Sequence, residues 1–198
     1  MSTGRKPATP RGIERDCITL EAAIGDLPRR AARPFLLATV GLPGSGKSHF
    51  ARGLCERLPC VLLESDALRR CLFARPRHGY KESGRLFTAI HALIERYLSD
   101  GYGVLLDSTN LREEHRQILK QIADDCGCPL LLVEVRAPEG LVIQRLRGRE
   151  GLSGEAGIEV YMRMRGDAEP ISLWHRSVDT SWDTTAAIEE IAREIEGL

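Results

Sequence analysis

Phe35-Leu36-Leu37-Ala38-Thr39-Val40 runs directly into Gly41-Leu42-Pro43-Gly44-Ser45-Gly46-Lys47-Ser48, and this junction decides the fold. The apolar run reads as a buried strand. The octapeptide after it has the form G-x-x-x-x-G-K-[ST], and a helix is expected from Lys47 to Leu58. Strand, loop and helix in that order are the context a phosphate-binding loop requires. Glycines let the backbone bend around phosphate oxygens and turn successive N–H groups inward. The helix N-terminus adds partial positive charge. Lys47 reaches the β- and γ-phosphates of ATP, and the Ser48 hydroxyl is a ligand for Mg²⁺. Gly41, Pro43, Gly44, Ser45, Gly46, Lys47, Ser48 and His49 make up the expected nucleotide cradle.

Around this junction the chain alternates strand and helix. Further strands are expected at Cys60 to Glu64, Val104 to Asp107, Leu130 to Val135 and, short, Ser177 to Asp179. Helices are expected from near Asp66, then over Lys81 to Ser99, Leu111 to Asp125, Glu139 to Leu146, Ile158 to Arg165 and Thr184 to Ile195. Short, wholly apolar strands alternating with helices predict an α/β fold. Its parallel five-stranded sheet is covered on both faces, the three-layer P-loop NTPase arrangement. Residues 1–12 are polar and rich in Pro and Gly and read as disordered, whereas 13–27 (IERDCITLEAAIGDL) carry helical spacing. Residues 1–30 are therefore expected to be an extension and 31–198 the P-loop domain.

Composition narrows the function classes. Lys+Arg and Asp+Glu are both 28, so no molecule-wide basic field draws nucleic acid, and any polyanion site must come from local clustering. No apolar run reaches the roughly 18 residues of a membrane span, and the first residues lack a secretory h-region. A cytoplasmic protein without a membrane partner is expected. The six cysteines are scattered, and Cys126-Gly127-Cys128 lacks the two-residue gap of zinc knuckles and redox motifs. Reduced thiols without a metal are expected.

Two acids stand at strand ends. Asp66 follows CVLLE, where a parallel strand gives way to a helix, and ligands of open α/β sheets lie at that edge. Asp66 is the candidate base for an attacking hydroxyl, or else a helix cap. Arg69, three residues on, either pairs with Asp66 or grips an anionic acceptor. Asp107 ends the strand GVLLD as a Walker-B-like acid and joins Ser48 as a candidate Mg²⁺ ligand. Thr109 and Asn110 follow at the same edge, to bond the acceptor, fix Arg69 or cap the next helix. Arg145 and Arg149, four apart in a polar Gly-rich segment (147–157), read as a mobile lid over the phosphates or as a solvated helix end. Arg70, Arg75, Arg77, His78 and Lys81 form a basic run that either borders the acceptor site or is a solvated face. His49, His91 and His115 lack metal-ligand partners at useful spacing, and Trp174 and Trp182 read as packing anchors of the C-terminal region, ahead of the alternative that they flank a nucleobase.

Together the P-loop, the S-D-x-x-R at Ser65–Arg69, the D-x-T-N at Asp107–Asn110 and the R-x-x-x-R of Arg145–Arg149 resemble the kinase domain of phage-type polynucleotide 5′-kinases. They resemble more broadly the P-loop kinase family containing it, and more distantly the zeta-toxin-like kinases. The likeness runs from about Phe35 to Arg165 and leaves residues 1–34 without a counterpart. It implies a fold like that of nucleoside monophosphate kinases. It also implies Asp66 as general base, Arg69 orienting that base or contacting the acceptor's phosphate, and Asp107 facing Arg69. Arg145 and Arg149 would contact the ATP phosphates. No phosphatase domain accompanies the motifs, so an end-repair role would draw on other proteins. The expected activity is transfer of the γ-phosphoryl of ATP to a hydroxyl, on a nucleic-acid or nucleotide 5′ end or on a small metabolite. The alternative is an ATP-binding switch with slow hydrolysis that docks through the helix at 13–27.

Overall fold

The structure is a computed structural model that describes residues 10–148 and 154–197. Five parallel strands, β1 (Leu36–Val40), β2 (Cys60–Glu64), β3 (Gly103–Asp107), β4 (Leu130–Arg136) and β5 (His175–Asp179), form one sheet in the order β2-β3-β1-β4-β5. Every adjacent pair is parallel, so all carboxyl ends share one edge. The helices are α1 (Pro10–Ile24), α2 (Lys47–Arg57), α3 (Ser65–Leu72), α4 (Tyr80–Ser99), α5 (Glu113–Asp125), α6 (Glu139–Arg147), α7 (Gly154–Gly166) and α8 (Thr185–Glu196).

The two-residue period of a strand divides the core. Leu36, Ala38 and Val40 of β1 pack with α1, α3, α4 and α5, while Leu37 packs with α2 and α8 on the opposite face. This is the three-layer α/β arrangement the sequence predicts. A smaller cluster of Val142, Leu146 and Tyr161 joins α6 to α7 and packs on Leu42, within the glycine-rich loop.

Element limits differ where one residue's chemistry overrides the pattern. Helix α1 starts at Pro10, inside the stretch expected to be disordered, since proline suits a first helical turn. It stops at Ile24 rather than Leu27, because Gly25 takes a positive φ of 78° and terminates the helix. Strand β5 begins two residues before Ser177. It is an edge strand in which Val178 alone is fully buried, so it carries little apolar signal. Helix α7 starts four residues before Ile158, while residues 149–153 of the expected lid, Arg149 among them, lie outside the described residues.

Helix α1 packs against α3 and α4. Cys17 and Leu20 are fully buried there, in the same cluster as the sheet. Asp16 accepts from both Nε and Nη2 of Arg85 at 2.6 Å, and Arg96 reaches Glu14 and Glu21. No helix among the described residues is long and apolar enough to cross a membrane.

Gly103 shows how tightly β3 meets β1. A Cβ there would lie 2.4 Å from Cε1 and Cζ of the buried Phe35 ring. Gly103→Ala is expected to destabilise the chain by about 1–3 kcal/mol through overpacking. Urea denaturation reads this as a lower midpoint at unchanged slope, and an unchanged midpoint would show that the ring yields freely.

Candidate nucleotide and acceptor site

The loop from Gly41 to Gly46 joins the central strand β1 to α2. Gly41 lets it leave the sheet, since a Cβ there would lie 2.4 Å from the carbonyl oxygen of Val135. Gly46 precedes α2 at φ 95°, and a Cβ would meet Thr180 Oγ1 at 2.9 Å. No side chain caps α2, and no acid stands in its first turn. Its first N–H groups are therefore left for an anion. Lys47 is buried and folds back, its Nζ donating to Leu42 O at 2.9 Å. The Ser45 hydroxyl is buried without a hydrogen-bond partner among the described residues. An uncapped helix start, an orphaned hydroxyl and an ammonium over one loop fit a polyphosphate. Ser48 lines the adjoining cleft, which holds about 590 Å³ and is also bordered by His49, Arg52, Arg145 and Trp182.

The turn after β3 closes the other side of the loop. Asp107 is buried at the end of β3, and its Oδ1 accepts from Thr39 Oγ1 at 3.0 Å. Thr109 O accepts from Gly41 N at 3.0 Å. Asn110 neither caps α5 nor fixes Arg69. It is 3% exposed, takes φ 44°, and donates Nδ2 to Thr39 O at 2.8 Å. The wholly buried Arg116 holds this turn by donating Nη1 to Asn110 O at 2.9 Å. Its Nη2 also reaches Glu113 at 2.7 Å and Pro170 O at 2.6 Å. Bonds from Ser172, Gln117 and Arg116 push the Glu113 carboxyl down to about 2.

Asp66 lies in the first turn of α3, which no side chain caps. Its carboxylate is exposed and has no hydrogen bond or ion pair among the described residues, so it is not the helix cap. Arg69 pairs with neither Asp66 nor Asp107. It is 6% exposed and gives Nη1 to Glu82 at 2.6 Å and Nη2 to Ser83 at 3.3 Å, while its buried Nε has no partner among the described residues. Glu82 also accepts from the backbone N–H of Arg77 at 2.8 Å and of His78 at 3.1 Å. The Arg77 amide, followed by Arg69 and the His78 amide, holds its carboxyl below the usual range. Glu82 thereby ties α3 to the basic loop, where Arg75, Arg77 and His78 are exposed, as are Arg70 near the end of α3 and Lys81 at the start of α4.

Arg145 does not extend into solvent. Nη1 donates to Thr180 Oγ1 at 2.8 Å and Nη2 to Thr180 O at 2.7 Å, with Gly44 O at 3.4 Å from Nη1. Thr180 Oγ1 in turn donates to Ser45 O at 2.6 Å. Thr180 is a site residue that the motifs miss, although it follows the carboxyl end of a strand, the position that marks ligand residues in these sheets. Trp182 is not a packing anchor: it is 78% exposed on the cleft wall. Trp174 is likewise exposed, with the Arg176 guanidinium 5.4 Å from its ring centre.

Comparison with known proteins places this geometry. The model of the AAA domain family matches residues 36–171. An L-seryl-tRNA(Sec) kinase of Methanococcus maripaludis is 27% identical over 112 residues, which cover 56% of this chain and 44% of that protein. An adenylyl-sulfate kinase of Myxococcus xanthus is 27% identical over 131 residues, 61% of this chain and 69% of that one. The chain thus spans less than half the length of the first of these relatives. The solved APS kinase of Mycobacterium tuberculosis, in complex with AMPPNP and APS, superposes with a TM-score of 0.59 at 20% identity, covering 83% of this chain and 96% of that one. The fold is that of P-loop kinases.

Thr180→Val removes the donor to Ser45 O, a bond that orients the loop in the free and the loaded chain alike. Such a bond contributes about 1 kcal/mol net, so ATP affinity is expected to fall roughly five-fold. Calorimetric titration measures it, and wild-type affinity would show that the loop holds its shape unaided.

Proposed function

The chain belongs to the AAA domain family, and from that membership and the site we propose that it is an ATP-dependent phosphotransferase acting on a hydroxyl. One observation carries this reading above the rest. Asp66 offers an exposed, unpartnered carboxylate at the strand-end edge from which the phosphate loop also departs. A nucleotide switch has no use for a base there. The alternative's docking helix, α1, spends Cys17 and Leu20 on its own domain.

The roles follow from position. The first turn of α2, Gly44 to Gly46 and Lys47 hold the triphosphate. Trp182 presents a flat face for the adenine on the cleft wall. Ser48 and Asp107 would hold Mg²⁺, which when bound neutralises charge on the phosphate oxygens. Asp66 takes the proton of the acceptor hydroxyl as its oxygen attacks the terminal phosphorus. Lys47 neutralises the charge that builds on the moving group, and Arg145 meets it from the far side of the loop, with Arg149 following α6 as a second cation. Arg145 reaches the phosphates by giving up Thr180, an exchange of acceptors that water exclusion favours.

The acceptor side is basic. Arg69 is held by Glu82 with its Nε unspent, and Arg70, Arg75, Arg77, His78 and Lys81 are exposed along the end of α3, the loop after it and the start of α4. An acceptor bearing phosphate or another anion fits it: a nucleotide or nucleic-acid 5′ end, as in the polynucleotide 5′-kinases, or an anionic metabolite. The acceptors named for the relatives, a seryl-tRNA and an adenylyl sulfate, are phosphate-bearing as well. Thr109 stands beside Asp107 to bond the acceptor.

Asp66→Asn is expected to lower transfer at least 100-fold while ATP binding, followed by quenching of Trp182 fluorescence, stays within two-fold (roughly 0.4 kcal/mol). Label from γ-labelled ATP, offered to 5′-hydroxyl oligonucleotides beside a panel of anionic metabolites, measures transfer. Near-normal turnover in the variant would remove Asp66 from the chemistry, and label appearing only on water would favour a slow ATPase.

A further inference from the structure

We propose that Cys55 and Cys60 form a reversible disulfide and are a redox modification site of this chain, separate from the nucleotide cleft. The two thiols are in contact, with Sγ atoms 2.9 Å apart, and both cysteines are free. A disulfide bond is about 2.05 Å long, so the sulfurs must approach by about 0.9 Å, a shift that small side-chain rotations supply. The covalent path favours the same pairing. Cys55 lies in the last turns of α2 and Cys60 opens β2, with Leu58 leaving the helix in an extended conformation. The hinge between them is Leu58-Pro59, whose proline restricts the backbone. The other cysteines are placed differently. Cys17 gives its thiol hydrogen to Ala89 O, Cys71 is exposed on α3, and Cys126 and Cys128 flank Gly127 at a positive φ of 64°.

The environment assigns an order to the chemistry. Cys60 is 6% exposed, and the hydrogen bond with Cys55, then burial, push its thiol up. Cys55 is half-buried and meets solvent first. With hydrogen peroxide as oxidant, the Cys55 sulfur attacks one peroxide oxygen. The O–O bond breaks, one water leaves, and Cys55 becomes a sulfenic acid. The Cys60 sulfur then attacks the Cys55 sulfur, the S–O bond breaks, and the hydroxyl departs as a second water with the Cys60 proton. Two thiols and one peroxide give one disulfide and two waters. A small thiol reductant reverses it by exchange. The bond would join α2, which begins at Lys47, to β2, which delivers Asp66. Arg52 and Glu64 already tie the same two elements at 2.7 Å.

Trypsin cleaves after Arg57, between the two cysteines, so the wild-type chain reports directly. The folded protein is treated with stoichiometric hydrogen peroxide, its remaining thiols are blocked with N-ethylmaleimide, and it is digested without reductant. The peptides Gly53–Arg57 and Leu58–Arg69 are expected as one linked species that separates on reduction, with free thiols falling from six to four. Cys55→Ser, a near-isosteric change at a half-buried position, should leave the Leu58–Arg69 peptide as a blocked thiol. Separate peptides after oxidation, a link through Cys126 or Cys128 instead, or oxidation at Cys71 alone would overturn the proposal. Unchanged oxidation of Cys60 in the Cys55→Ser chain would overturn it as well.

Discussion

The loop between β1 and α2 holds its shape because the surrounding fold binds its carbonyl oxygens. Leu42 O takes the Lys47 ammonium, Gly44 O takes Arg145, and Ser45 O takes the Thr180 hydroxyl. A peptide group is planar and trans, so an anchored C=O turns the N–H of the same unit the opposite way. Thr180 at Ser45 O thus fixes the direction of the Gly46 amide, at the start of a helix that no side chain caps. Three carbonyl oxygens of the cradle are thus held by side chains.

The parallel sheet converts that local arrangement into a site. All five strands end on one edge, so the phosphate loop, Asp66, Asp107 and Thr180 emerge together although they are spread over more than half the sequence. Most of this edge is held by neighbours. Thr39 bridges β1 to Asp107, Arg116 holds the turn behind it, and Glu82 gathers Arg69 with the backbone of the basic loop. Asp66, exposed at the same strand-end edge, has no hydrogen bond or ion pair among the described residues. Helix α1, which precedes the family match, stiffens this side by packing on α3 and α4.

Much of this was legible in the sequence, for identifiable reasons. The octapeptide has fixed chemistry, and β1 to β4 are short apolar runs, so the sheet, its layers and the nucleotide cradle follow from local pattern. Contacts between distant residues did not show. Spacing offers Arg69 either Asp66, three residues away, or an anionic acceptor; the pairing goes instead to Glu82, which lies across a loop and whose carboxylate also collects two backbone amides. Asn110 reads as bonding the acceptor, fixing Arg69 or capping the next helix, and local pattern does not reveal that its amide donates across the sheet edge to Thr39 O. Residue type alone makes Trp182 a packing anchor, whereas its place just after an edge strand leaves it exposed on the cleft wall. The edge strand β5 and the role of Thr180 were faint because one face of that strand meets solvent and carries polar residues.

The most direct test is a structure of the chain with Mg²⁺ and a non-hydrolysable ATP analogue. The account predicts the terminal phosphate between the Lys47 ammonium and the Asp66 carboxylate, with Arg145 moved from Thr180 onto the phosphates. An analogue bound elsewhere, or one in the cradle with Asp66 turned away to bulk water, would contradict it.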